Sequence, residues 1–220
     1  MNDEIKRYLK FLITPVAIIL LGIIVGRSFF IFMKNWAWIP VVVFYWSAVG
    51  LVIYLDYKKR GKKPADYFKG FRFKFSAVIL SLIVGLIPLP IFLKYFYLFD
   101  TGYLIFLWIL FALVNPFFEE IFWRGYMLDH SPKIPFWIKA IVSSLIFAVG
   151  HPLTWGLFSF SMLTPEMLIS VFIMGIVWSF AYRKSNTLLL PYFSHFLVDL
   201  LSCSVLAFLN ILPVMTNLYQ

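Results

Sequence analysis

A chain of 220 residues, 62% of them hydrophobic and 13% charged, with a mean hydropathy of +0.90, lies outside the range of soluble globular domains. It reads as an all-α, polytopic membrane protein. The formal net charge of +9 does not mark a nucleic-acid binder, because the basic residues lie between apolar runs with no soluble nucleic-acid module beside them, and membrane lipids with anionic headgroups are the expected counter-charge.

In chain order, apolar stretches stand at 11–26, 36–55, 75–93, 101–118 running on through an acidic motif, 140–149, 167–182 and 187–212, which predicts about seven spans. The basic start before 11–26 resembles a signal peptide, but the run is long for one and has no small-residue cleavage site, so it reads as a retained anchor. Aromatic pairs flank the runs as interface residues do: Trp36 and Trp38, Tyr54 and Tyr57, Tyr95 and Tyr97. The one sizeable polar insert is 58–74, with Gly61 and Pro64. The fifth stretch is expected to stop at His151-Pro152. Cys203 stands alone in an apolar segment and reads as a packing residue rather than part of a disulfide or Cys-rich metal site.

Lys and Arg test the count. If the N-terminus is cytoplasmic, that side holds Lys6, Arg7 and Lys10, the eight basic residues of 58–74, Lys133, Lys139, Arg183 and Lys184; Arg27, Lys34 and Lys94 fall opposite. This asymmetry predicts seven spans, N-terminus in and C-terminus out, and a compact chain with many Lys and Phe residues reads as an integral membrane protein of a prokaryotic plasma membrane.

Against that apolar background stand Glu119, Glu120 and Arg124, then His151, then His195 and Asp199. An ionised group at the centre of a span costs roughly 2.5–3.5 kcal/mol, so four unpaired ones would cost about 10 kcal/mol; partners, a hydrated cavity, or both are implied. Glu120 and Arg124 share a helical face as an ion pair, whereas Glu119 points about 100° away and needs a partner on another helix. His195 and Asp199 are four apart, as are Phe147 and His151. Counting about 1.5 Å per residue from the cytoplasmic ends brings the three polar faces to one level. Adjacent carboxylates, one held ionised by an Arg, leave the other free as a base; one imidazole can orient a water, and a second can stabilise an oxyanion. That is peptide hydrolysis with water as nucleophile. Taken singly, each group also has a structural reading: a fastening ion pair, a helix-end cap at His151, an interhelical clamp at His195 and Asp199.

These residues carry a resemblance to the CAAX-protease and bacteriocin-processing family, the glutamate-type intramembrane endopeptidases related to the type II CAAX prenyl endopeptidase. The first motif, E-E-x-x-x-R, is Glu119, Glu120 and Arg124, followed by Gly125-Tyr126; the second, F-x-x-x-H, is Phe147 and His151; a looser Phe and Gly pattern is similar to Phe172 and Gly175 before the basic turn at 182–187; the last, H-x-x-x-N or H-x-x-x-D, is His195 and Asp199. The similarity runs from Leu113 to Asp199. It implies that Glu119 and His151 activate the catalytic water, that His195 and Asp199 form the oxyanion site, and that Glu120, Arg124 and Phe147 support them. It also implies one integral membrane domain, 1–220, in which 1–100 are variable N-terminal spans and 101–212, the last four spans, form the catalytic core. Better-known members have eight spans, and the best-known eukaryotic and archaeal ones carry Asn where this chain has Asp199, which accepts hydrogen bonds but cannot donate one when ionised.

The expected function is therefore an intramembrane endopeptidase acting on a peptide or lipidated-protein substrate, in prenylated-protein or bacteriocin-type processing. No cofactor is expected. The alternatives are a zinc-dependent membrane metalloprotease, for which Glu119, His151 and His195 would be the ligands although no H-E-x-x-H is present, a non-catalytic self-immunity or scaffold protein, and a proton-coupled carrier.

Overall fold

The structure, a computed structural model, describes residues 3–130 and 133–212. All regular elements among them are helical. The polarity of the bundle is inverted relative to a soluble protein: Ile13, Phe32, Leu51, Phe106 and Ile169 are exposed, while Asn115, Glu119, Glu120, Arg124 and His195 are buried. Only a hydrocarbon surround makes that distribution favourable. The chain is an integral membrane protein.

Helix α1 (Asp3–Met33) is longer than its apolar stretch, because hydropathy marks what lies at membrane depth and not where the helix stops. A short 3-10 turn, Lys34–Ala37, with Lys34 at φ 50°, reverses the chain into α2 (Trp38–Arg60). Gly22 approaches Phe44 and Gly26 approaches Val41, so the two helices run antiparallel, and the tightest contacts of the two glycines are with Thr154 and Leu157. By length and composition five stretches can cross a membrane, the first of them this whole hairpin, and α9 is a shorter apolar helix.

The expected span at 75–93 is broken at Ile87-Pro88 into α3 (Phe75–Leu86) and α4 (Leu89–Tyr95), since Pro88 cannot donate to the helix ladder. Helix α5 (Gly102–Glu120) passes directly into a π-helical turn, Ile121–Tyr126, and then into α6 (Met127–His130). Contrary to expectation, α7 (Phe136–Thr154) does not stop at His151-Pro152. Pro152 sits in the last turn of the helix, where it withholds one ladder N–H and the helix ends two residues later, at Thr154. Helix α8 (Pro165–Ser185) starts on a Thr164 side-chain cap with Pro165 at its first position and ends at Asn186 in the left-handed region.

The last expected span, 187–212, is also divided, into α9 (Leu189–Leu201) and α10 (Ser204–Phe208). Cys203 takes a left-handed conformation there, and the Ser202 and Ser204 hydroxyls turn back to donate to the Asp199 carbonyl at 3.4 and 2.6 Å. At 13 residues α9 is about 20 Å long, shorter than a bilayer core of about 30 Å. The expected external C-terminus falls on 213–220, outside the described residues. The polar insert 58–74 docks across one end of the bundle, with Leu188 N–H donating to the Tyr67 carbonyl at 2.8 Å, Arg72 N–H to that of Ser185 at 2.8 Å, and Lys62 paired with Asp129 at 2.7 Å.

Candidate active site

Helices α5, α7 and α9 bring their polar residues to one place. The Glu120 carboxylate, fully buried, accepts through Oε1 from Arg124 Nη1 at 2.9 Å and from His195 Nδ1 at 2.8 Å. Glu119 turns to the other side of the same ring: its Oε2 lies 3.4 Å from His195 Nε2. The partner that Glu119 needed on another helix is thus the imidazole that Glu120 also holds. Two consecutive acids grip both nitrogens of one ring.

The pair and ring are packed as well as bonded. His195 stacks on Trp178, with centroids 4.3 Å apart and planes at 17°. The Arg124 guanidinium lies 4.6 Å from the Phe147 ring centre and 5.0 Å from that of Trp178, a cation–π setting that offsets part of its burial. Gly175 makes room for this arrangement: a Cβ there would come within 2.8 Å of Ser144 Oγ and 3.2 Å of Arg124 Nη2. The glycine of the looser Phe and Gly pattern thus leaves room for Ser144 and Arg124.

His151 stands apart from this network. Its Nδ1 lies 2.8 Å from the carbonyl of Phe147, and because a carbonyl only accepts, Nδ1 carries the hydrogen and the neutral ring presents a lone pair at Nε2. The ring sits edge-on to Phe147, 4.6 Å between centroids. Asp199, on the helical turn after His195, has Oδ1 3.7 Å from His195 Nε2.

The residue that sequence reasoning missed is Asn115. Its Nδ2 donates to Glu119 Oε2 at 3.2 Å and to Asp199 Oδ2 at 3.1 Å, and its Oδ1 accepts from Trp46 Nε1 at 3.1 Å. A polar residue four before Glu119 in an otherwise apolar run was the available signal. Tyr45, also unforeseen, hydrogen-bonds Glu119 and accepts from Trp123 Nε1 at 3.0 Å.

A cavity of about 180 Å³ opens onto this cluster. Asn115, His151, His195 and Asp199 form its polar wall, and apolar side chains such as Ile91, Met167, Met174 and Phe208 form most of the rest. Glu119, 2% exposed, does not line it but stands behind Asn115 and His195. Among the described residues no three His, Cys, Asp or Glu side chains are grouped to hold a metal ion. Imidazoles and carboxylates beside a hydratable chamber can move protons to and from a bound water and stabilise a developing oxyanion.

Fold and site together define a polytopic helical membrane protein with a buried glutamate–histidine centre. Residues 101–201 match the family model described as type II CAAX prenyl endopeptidase Rce1-like. That segment, somewhat under half of the chain, is similar to the CAAX-protease and bacteriocin-processing family. The match encloses the four motifs read from the sequence, Glu119 through Asp199. No curated protein and no solved structure matches the chain.

Proposed function

We propose that this chain is an intramembrane endopeptidase that hydrolyses a peptide bond with water activated by Glu119 and His151. The observation that carries the reading is the cavity, an apolar chamber whose polar wall joins imidazoles from α7 and α9. In this reading a water passes from the chamber to Glu119, which stands behind Asn115 and His195, and gives it a proton, while the lone pair on His151 Nε2 sets the position of its oxygen. The oxygen attacks the carbonyl carbon, and the C–N bond then breaks as the proton passes to the leaving amine. His195 donates an Nδ1–H hydrogen bond to Glu120, and as the imidazolium it carries a second hydrogen on Nε2, which it donates to the tetrahedral oxyanion. Asp199, accepting only, orients that hydrogen from 3.7 Å.

The substrate in this reading is a peptide presenting an apolar group to the chamber, as a prenylated protein or a bacteriocin-type precursor does. The basic insert, Arg183 and Lys184 share one end of the bundle with Asp129, which fits a cytoplasmic N-terminus and a single domain with 101–212 as its core.

The purified protein in liposomes should cut a fluorescence-quenched farnesylated peptide at one bond, and His151→Ala should lower kcat by about 100-fold with the melting temperature retained. Wild-type turnover in His151→Ala would refute the proposal, and no cleavage of this peptide by the wild type would remove its prenylated-substrate branch. No cofactor enters the scheme, so dialysis against a chelator should leave turnover intact; loss on chelation with recovery on added zinc would replace it with a metal mechanism.

A further inference from the structure

We propose that Asn115 is a positioning residue whose single side-chain amide holds Glu119 and Asp199 in register, with its orientation fixed from α2 by Trp46. The inference rests on the reading of Glu119 as the group that activates water. An indole N–H can only donate, so the Asn115 atom 3.1 Å from Trp46 Nε1 is the carbonyl oxygen, and both amide hydrogens are left for the two carboxylates at 3.2 and 3.1 Å. Rotating the amide by 180° would set N–H against N–H at Trp46 and oxygen against two carboxylates. With Asn115 only 4% exposed, water cannot compensate for that misalignment.

The site needs such a donor. Around Asn115 stand Glu119 and Glu120 on α5, Arg124 on the π-turn, His195 and Asp199 on α9, His151 on α7 and Tyr45 on α2. Arg124 is bonded to Glu120, and His195 Nε2 faces both Glu119 and Asp199 but brings at most one hydrogen, which the oxyanion requires. Asn115 supplies two hydrogens without adding charge and keeps them throughout the reaction. Two acids from neighbouring helices are held at fixed separation by this bridge. Trp46 lies outside 101–201, so the N-terminal helices contribute to the geometry of the site and do not merely surround it.

The test uses the protein in liposomes with the farnesylated peptide. Asn115→Asp, nearly the same shape, replaces the donor with a third carboxylate and should lower kcat by about 100-fold with KM unchanged. Adding Asp199→Asn restores the charge count and a donor facing position 115, and should recover about 10-fold of that loss. Trp46→Phe, which frees the amide to rotate, should lower kcat by about 10-fold. A packing role predicts neither the loss in Asn115→Asp nor the recovery in the double variant, because side-chain volume is conserved in both. Wild-type kcat in Asn115→Asp, or a double variant no better than Asn115→Asp, overturns the proposal. Glu119→Gln run in parallel separates the two readings: if it turns over near the wild-type rate, the role of Glu119 as the base fails, and if it is dead while Asn115→Asp is normal, only the positioning role fails. Should the wild type leave the peptide intact, the prenyl reading falls and the cycle is read as melting temperature in detergent, where recovery in the double variant supports the pairing and additive shifts overturn it.

Discussion

Glu119→Gln is expected to lower kcat for the farnesylated peptide by at least about 10³-fold while the protein stays folded, monodisperse and close to wild type in melting temperature. Glutamine keeps the length and volume of the side chain, and its carbonyl oxygen still accepts from Asn115, now at 3.2 Å from Glu119 Oε2. What is lost is the capacity to take a proton. The buried network tolerates the change because Glu120, not Glu119, holds Arg124 and the Nδ1 hydrogen of His195. Turnover within a few-fold of wild type would remove Glu119 from the reaction. A collapse of the melting temperature would make it a structural acid.

Arg124→Ala is expected to act on stability. It should cost about 3–5 kcal/mol, because it leaves the fully buried Glu120 without its cation and empties the space between the Phe147 and Trp178 rings. Arg124→Lys should recover only part, since an ammonium keeps the charge but does not stack on both rings as the planar guanidinium does. Thermal unfolding in detergent measures both. An Arg124→Ala protein as stable as the wild type would mean that the pair contributes nothing to holding α5, α7 and α8 together.

Much of the site was legible in the sequence because charge at membrane depth is rare and helical spacing is strict. Glu120 with Arg124, and the meeting of α5, α7 and α9, follow from those two facts. The sharing of one imidazole by Glu119 and Glu120 does not, since it depends on where α9 lies against α5. Asn115 and Trp46 were missed for a similar reason: a neutral amide and an indole carry no insertion penalty that draws attention, and their bond joins residues 69 apart in the chain. In the fold, the apolar stretches were found but their ends were not. Hydropathy is blind to the break at Pro88, to the left-handed turn at Cys203 and to the continuation of α7 through Pro152, all decided by backbone geometry within apolar sequence.

The central claim is that a peptide is cut in the chamber shared by α5, α7 and α9. It is tested most directly by photo-crosslinking the reconstituted protein to a farnesylated peptide carrying a benzophenone beside the scissile bond, and mapping the adducts by mass spectrometry. Adducts should fall on the chamber methionines Met162, Met167 and Met174, and be displaced by unlabelled peptide. Displaceable adducts confined to lipid-facing residues such as Phe32 or Ile13 would place the peptide elsewhere and contradict the account.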